Sequence, residues 1–207
     1  MNDWIAALDE ALQRHAAVVR VVVAAVRGSA PREPGASLLV TAGEAIGTIG
    51  GGHLEWQAIG IARGMLAPSS AATRVDRLAL GAALGQCCGG AVELWFERWD
   101  ADDRAFVAQA LAASRRGATR LATVIDPAAG KPLRTLLAVD TDAITRAELA
   151  TDADGRRVFS ERLDPAGPAL WIYGAGHVGA ALVNALAALP LRITWVDERA
   201  DCFAGRT

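Results

Sequence analysis

Two cysteines stand side by side in Leu84-Gly85-Gln86-Cys87-Cys88-Gly89-Gly90, a glycine-flanked turn directly ahead of an apolar strand. A thiolate serves as a nucleophile or soft metal ligand where backbone N–H groups, positive charge and access favour it. Flanking glycines supply the close backbone approach such a role needs. Taken alone, two packed thiols in a turn explain the pattern equally well. A second stretch shifts the balance. Gly47-Thr48-Ile49-Gly50-Gly51-Gly52-His53-Leu54-Glu55 is a glycine run that opens onto Trp56, Ile59, Ile61, Met65 and Leu66, spaced as the apolar face of a helix beginning at His53. N–H groups at such a helix start suit a phosphate or other anion, although a tight turn needing positive φ would use the same glycines.

Two further stretches carry chemistry. Gly28-Ser29-Ala30-Pro31-Arg32-Glu33-Pro34-Gly35 is a loop fixed by two prolines, with Arg32 placed to bind an anion or simply to face solvent. Gly174-Ala175-Gly176-His177-Val178-Gly179 follows a short apolar strand, precedes a helix, and is answered by Asp197 at the end of the next strand. That is the opening of a Rossmann-like domain. Gly174 makes the turn, Gly176 admits a phosphate, Gly179 lets helix meet strand, and Asp197 accepts from a ribose hydroxyl. The same turn could also be kept for the fold alone.

The elements that position these residues follow from periodicity. Asp3 caps a first helix ending near His15, and 18–26 is a β-branched run that reads as a buried strand. A second strand over 36–40 leads through a turn to the glycine run. The alternating segment 73–80 delivers the chain to the cysteines, and 91–99 carries it away as a strand with one face buried. Asp102 and Asp103 begin a helix that Gly117 ends, followed by strands over 119–125 and 133–139 and an edge strand over 157–163. Asp164-Pro165-Ala166-Gly167-Pro168 is the expected domain boundary. The fold class is therefore α/β: a mixed N-terminal domain over 1–163, a linker over 164–168, and the first βαβ of a Rossmann-like domain over 169–207. One βαβ unit cannot cover both faces of a parallel sheet, so this second domain is expected to be incomplete.

The whole chain bounds the function classes. Its 207 residues are 52% apolar, and 21 basic against 23 acidic residues give a net charge of −2. No broad cationic face for nucleic acid is advertised. There is neither a basic, apolar leader nor an apolar run of spanning length, so a cytoplasmic protein without a membrane role is expected. Three cysteines, two of them adjacent, do not make a secreted disulfide framework.

Taken together, the loop at 28–35, the glycine run at 47–55, the cysteine turn at 84–90 and the strand and turn at 171–179 resemble the XdhC/CoxF family over nearly the whole chain. The resemblance implies an accessory protein rather than an enzyme. Such a protein binds molybdenum cofactor (molybdopterin), protects it while a cysteine desulfurase helps supply its sulfido ligand, and inserts it into the molybdenum-binding subunit of xanthine dehydrogenase. Arg32, Gly50, Gly51, Gly52, His53, Glu55, Gln86, Cys87, Cys88 and Gly89 would then line the cofactor site, with Cys87 or Cys88 a soft ligand to molybdenum. Several relatives in the wider family carry a cysteine after the three glycines, where His53 stands here, so no thiol role passes to that position. Three other readings remain open. They are an NAD(P)-dependent oxidoreductase using Gly174, Gly176, Gly179 and Asp197, a zinc protein using Cys87, Cys88 and His53, and a homodimerisation module without a ligand.

Overall fold

The computed structural model describes residues 4–81, 89–117, 119–125, 131–138, 147–163, 169–187, 189 and 191–203. The chain is mixed α/β and divides into two compact units, Asp3–Asp164 and Pro165–Thr207. Among the described residues no helix is long and apolar enough to cross a membrane. The segment 164–168, expected to be a linker, lies outside the described residues.

The first unit opens with α1 (Trp4–Arg14) and β1 (Ala17–Arg27), followed by β2 (Ser37–Val40), β3 (Ala45–Gly47), α2 (Gly52–Gly64), β4 (Thr73–Ala79) and β5 (Ala91–Asp100). These strands form an antiparallel sheet in the order β3-β2-β1-β5-β4. β1 reads as a continuous apolar run because both its faces are covered. Val19, Val21 and Val23 pack on the α2 side, and Val18 and Val22 on the opposite side. A capping box at Asp100 and Asp103 starts the turn into α3 (Arg104–Arg116). Then β6 (Thr119–Val124), β7 (Leu133–Ala138), β8 (Ala147–Thr151) and β9 (Arg157–Arg162) make a second antiparallel sheet, in the order β7-β6-β9-β8.

Three expectations change. The strand at 157–162 is not an edge, since it pairs with β6 on one side and β8 on the other. β3 and β8 are additional strands. The core face of α2 is Leu54, Ala58, Ala62 and, just beyond its end, Met65, all buried, whereas Trp56 is 70% exposed. Small side chains let the helix lie close on the sheet, so the alanines rather than the bulkiest residues mark the buried stripe.

The far side of the first sheet carries charge into the interior. Arg20 on β1 makes a bidentate pair with Glu161 on β9, both nearly fully buried, and its guanidinium lies 3.5 Å from the centre of the Trp4 ring. Arg134 on β7 bonds Glu97 at 2.5 Å and Asp103 at 2.6 Å and covers the Trp99 ring at 3.6 Å. Burial opposes the Arg134 charge, but Glu97 and Asp103 outweigh it and raise its pKa. Stranding one partner of such a buried pair costs about 3–5 kcal/mol. These groups therefore fix how the first unit's two sheets meet.

The second unit contains β10 (Ala169–Tyr173), α4 (His177–Leu186) and β11 (Arg192–Val196), with β10 and β11 parallel. An added Cβ at Gly179 would collide with the Gly174 carbonyl oxygen and stand 3.1 Å from Trp195 Nε1. Glycine there is what lets α4 sit on its strands.

Candidate functional site

The glycine run folds as a strand-to-helix turn, with Gly50, Gly51 and Gly52 at φ 124°, 74° and 66°. Its N–H groups are not simply open to an incoming anion. Glu55, in the first turn of α2, reaches back so that one carboxylate oxygen accepts from the Thr48 hydroxyl at 2.6 Å, the Ile49 N–H at 2.9 Å and the Gly51 N–H at 3.1 Å. The Gly50 N–H donates to Thr48 Oγ1 at 3.1 Å. Burial works against the Glu55 charge, but Thr48 and the N–H groups of Ile49, Gly51 and Gly50 outweigh it and hold the carboxyl below its ordinary pKa. Gly50 and Gly51 thus have an internal partner. The anion-facing donors left are the first-turn N–H groups of α2 from Gly52 onward, which no side chain caps.

The loop at 28–35 packs against this turn and against the far end of the cysteine-bearing connection. A Cβ on Gly50 would stand 2.6 Å from Pro31 Cγ and 3.5 Å from Arg32 Cγ, so the loop rests on a surface only glycine provides. At the loop's other end the Gly90 N–H donates to the Ser29 carbonyl at 3.1 Å, and a Cβ on Gly90 would meet the Arg27 carbonyl oxygen at 2.5 Å. The Leu80 N–H donates to the Gly90 carbonyl at 2.8 Å, closing the base of the connection between β4 and β5. Arg32 is partly exposed, with Glu33 at 3.8 Å. His53 is exposed and stacks on Trp56, ring centres 5.4 Å apart.

The structure therefore brings Arg32, Gly50, Gly51, Gly52, His53 and Glu55 to one neighbourhood and ties the base of the cysteine connection to the same loop. Gln86, Cys87 and Cys88 lie outside the described residues, and Gly89 is exposed. Among the described residues no three His, Cys, Asp or Glu side chains gather as a metal site. Thr48 and Pro31 escaped sequence reasoning. The acidic residue in the first helical turn was the available signal for the Thr48 and Glu55 partnership.

In the second unit, Gly174 has φ 103°, as a turn glycine should. Asp197 accepts from the Ala175 N–H at 2.6 Å and from Arg199 Nε at 2.9 Å. The Arg199 side chain first, then the Ala175 and Arg199 N–H groups, hold its carboxyl well below the usual range. A shallow cavity of about 490 Å³ opens beside Tyr173, Gly174, Asp197 and Arg199.

Residues 11–76 match the model of the XdhC and CoxI family. A solved structure named as a xanthine dehydrogenase of Bacillus halodurans has a similar fold, with a TM-score of 0.71 and 19% identity, covering 96% of this chain. The chain spans 63% of that protein's length. None of the curated proteins compared with the chain matches it.

Proposed function

We propose that the protein is an accessory carrier in xanthine dehydrogenase maturation, which holds molybdenum cofactor and delivers it to the enzyme's molybdenum-binding subunit. The observation that carries this reading is the packing of residues 28–35 between Gly50 and Gly90. It gathers Arg32, the open N-terminus of α2 and the base of the thiol-bearing connection, which suit a ligand with an anionic tail and a soft metal. The family match over 11–76 and the likeness to a protein named as a xanthine dehydrogenase direct the choice of cargo and acceptor.

In this reading Arg32 and the N–H groups of Gly52 and His53 bind the phosphate, and Glu55 keeps the turn in shape. Cys87 or Cys88 would be a soft ligand to the metal, and a cysteine desulfurase would be the source of the cofactor's sulfido ligand. The cofactor brings a molybdenum centre bearing an exchangeable terminal ligand. The test is native mass spectrometry of protein purified anaerobically from hosts with and without cofactor synthesis. A bound mass only from the first host supports the reading, and identical masses from both overturn it. Separate and joint Cys87→Ser and Cys88→Ser variants that stay folded with full occupancy would remove the thiols from the site.

A second reading concerns the second unit, where the Gly174 and Gly179 geometry favours β10, α4 and β11 as the opening of a Rossmann-like nucleotide site. Calorimetry with NAD and NADP tests it, and silence with both ends it.

A further inference from the structure

We propose that β4 is a dimerisation edge, on which a second copy of this chain lays its own β4 antiparallel about a two-fold axis. The sheet β3-β2-β1-β5-β4 ends in two unlike edges. β3 is three residues long, one of the ways an edge is kept from templating another strand. β4 runs for seven residues, pairs with β5 without a register shift and contains no proline, so it has neither the bulge nor the breaker that blunts an edge. Among the described residues no strand pairs with its other side.

Hydrogen-bond parity shows which main-chain groups are open. The Arg98 N–H donates to the Ala72 carbonyl and the Leu80 N–H to the Gly90 carbonyl, both at 2.8 Å. The even-numbered residues of β4 therefore bond β5, and Thr73, Val75, Arg77 and Ala79 turn their N–H and C=O groups outward. Two such edges match only when odd residues face odd ones, which puts the axis at residue 74, 75, 76 or 77. Charge separates these registers. An axis at Arg74, Asp76 or Arg77 sets that residue against its own copy, like charge against like. The axis at Val75 instead sets Arg74 opposite the partner's Asp76, and Asp76 opposite the partner's Arg74, in the closely spaced non-hydrogen-bonded positions. Arg74 Nε already bonds Asp76 Oδ1 of its own strand at 2.8 Å, so the side chains alternate in sign around the axis. Val75 meets Val75 on the axis and Thr73 meets Arg77, which gives about six main-chain hydrogen bonds.

Charges on an edge strand commonly serve to keep other strands away. An edge built only to repel does so in every register, which charges of one sign achieve. Arg-Val-Asp-Arg carries both signs, opposes the other registers and admits one, so its pattern specifies a pairing. The axis stands perpendicular to the sheet, and both copies of α2 then lie on the same face. The groove of about 580 Å³ between α2 and β4, with Arg74, Asp76 and Leu78 on its strand side, would run on into that of the second copy. The pairing does not depend on the carrier reading or its cargo.

Sedimentation velocity of the whole chain over a dilution series should show a monomer and dimer in equilibrium. Arg74→Asp and Asp76→Arg each turn two attractive pairs into two repulsive ones, and each should weaken the dimer about tenfold or more. An equimolar mixture of those two variants brings opposite charges together again across the axis and should recover the dimer in part. The double variant, which restores the alternation as well, should recover it fully. Arg77→Pro removes an outward N–H that β5 does not use, a change tolerated on an edge, and should also weaken the dimer. Thermal melting confirms that each variant is folded. A wild type that stays monomeric at every concentration would leave the edge to a different chain and overturn the pairing. Variants that dimerise like wild type, or a mixture and a double variant that stay monomeric, would overturn it too.

Discussion

The turns before α2 and before α4 look alike in sequence, each a glycine cluster between a strand and a helix, and in each a carboxylate meets the turn's N–H groups. They differ in where that carboxylate comes from. Glu55 belongs to the helix that the turn opens, four residues past Gly51, and its partners lie between Thr48 and Gly51. Asp197 stands 22 residues from the Ala175 N–H it accepts, at the far end of β11. The first turn is a local structure that exists once α2 exists. The second is completed only when β11 has paired with β10. An incoming anion thus meets the residues beyond Gly51 at the first turn, and a carboxylate already held by Arg199 at the second.

The largest expected effect breaks the second turn. Gly179→Ala places a methyl against the Gly174 carbonyl oxygen, a backbone atom that cannot step aside. Overpacking of this kind costs about 1–3 kcal/mol and more where backbone must move. Hydrogen exchange should show protection lost across β10, α4 and β11 and kept in β1 and β5. Loss of protection in both units would mean the second turn is not a separate structure. Gly50→Ala is the counterpart in the first turn, combining φ 124° with a Cβ 2.6 Å from Pro31. A cost of about 1–3 kcal/mol is expected in chemical denaturation. The midpoint should move without the protection of β10 or α4 changing.

Glu55 sharpens the contrast through pH. Its carboxyl pKa is lowered in the folded chain, so its stabilisation is fully present above the ordinary value of about 4.3 and is lost as pH falls through the lower folded value. The denaturation midpoint of wild type should therefore fall toward that of Glu55→Gln on acidification, and the gap should be constant near neutrality. Glu55→Ala, which leaves the Ile49 and Gly51 donors without their acceptor, should cost about 1 kcal/mol at pH 7. An unchanged midpoint in Glu55→Ala would show that the turn is held by its glycines alone.

Much of this was legible because local pattern and burial agree. The run at 18–26 is apolar throughout because β1 lies between two covered faces, and the alternation in 91–99 separates Leu94 and Phe96, facing α2, from Trp95 and Trp99, facing away. What escaped was set by tertiary context. Trp56 looked like a core residue by spacing, but the sheet accepts alanines at close approach and leaves the indole outside. β8, Ala-Glu-Leu-Ala-Thr, has too little β-branched character to stand out and is a strand because β9 pairs with it. The seat filled by Glu55 was hidden for a related reason, since a glycine run reads the same whether its N–H groups face a ligand or the chain's own carboxylate.

Gly176 gives the smallest expected effect on stability and the sharpest test of what the second turn is for. Gly174 needs its positive φ and Gly179 its missing side chain, so both are explained by folding. Gly176 is not: its φ is −77°, open to any residue, and nothing lies within 4 Å of an added Cβ. Gly176→Ala should therefore melt within about 1 kcal/mol of wild type, the difference expected between glycine and alanine at the N-cap of α4. A glycine that neither φ nor packing requires, and that serves the fold only as the N-cap of α4, is accounted for if a phosphate must approach the backbone there, where a methyl group would keep it away. The variant should then lose affinity for NAD or NADP while its melting stays within that range and its hydrogen-exchange protection is kept. Equal binding by Gly176→Ala and wild type would show that no ligand approaches that backbone, and the likeness between the two turns would then be one of folding geometry only.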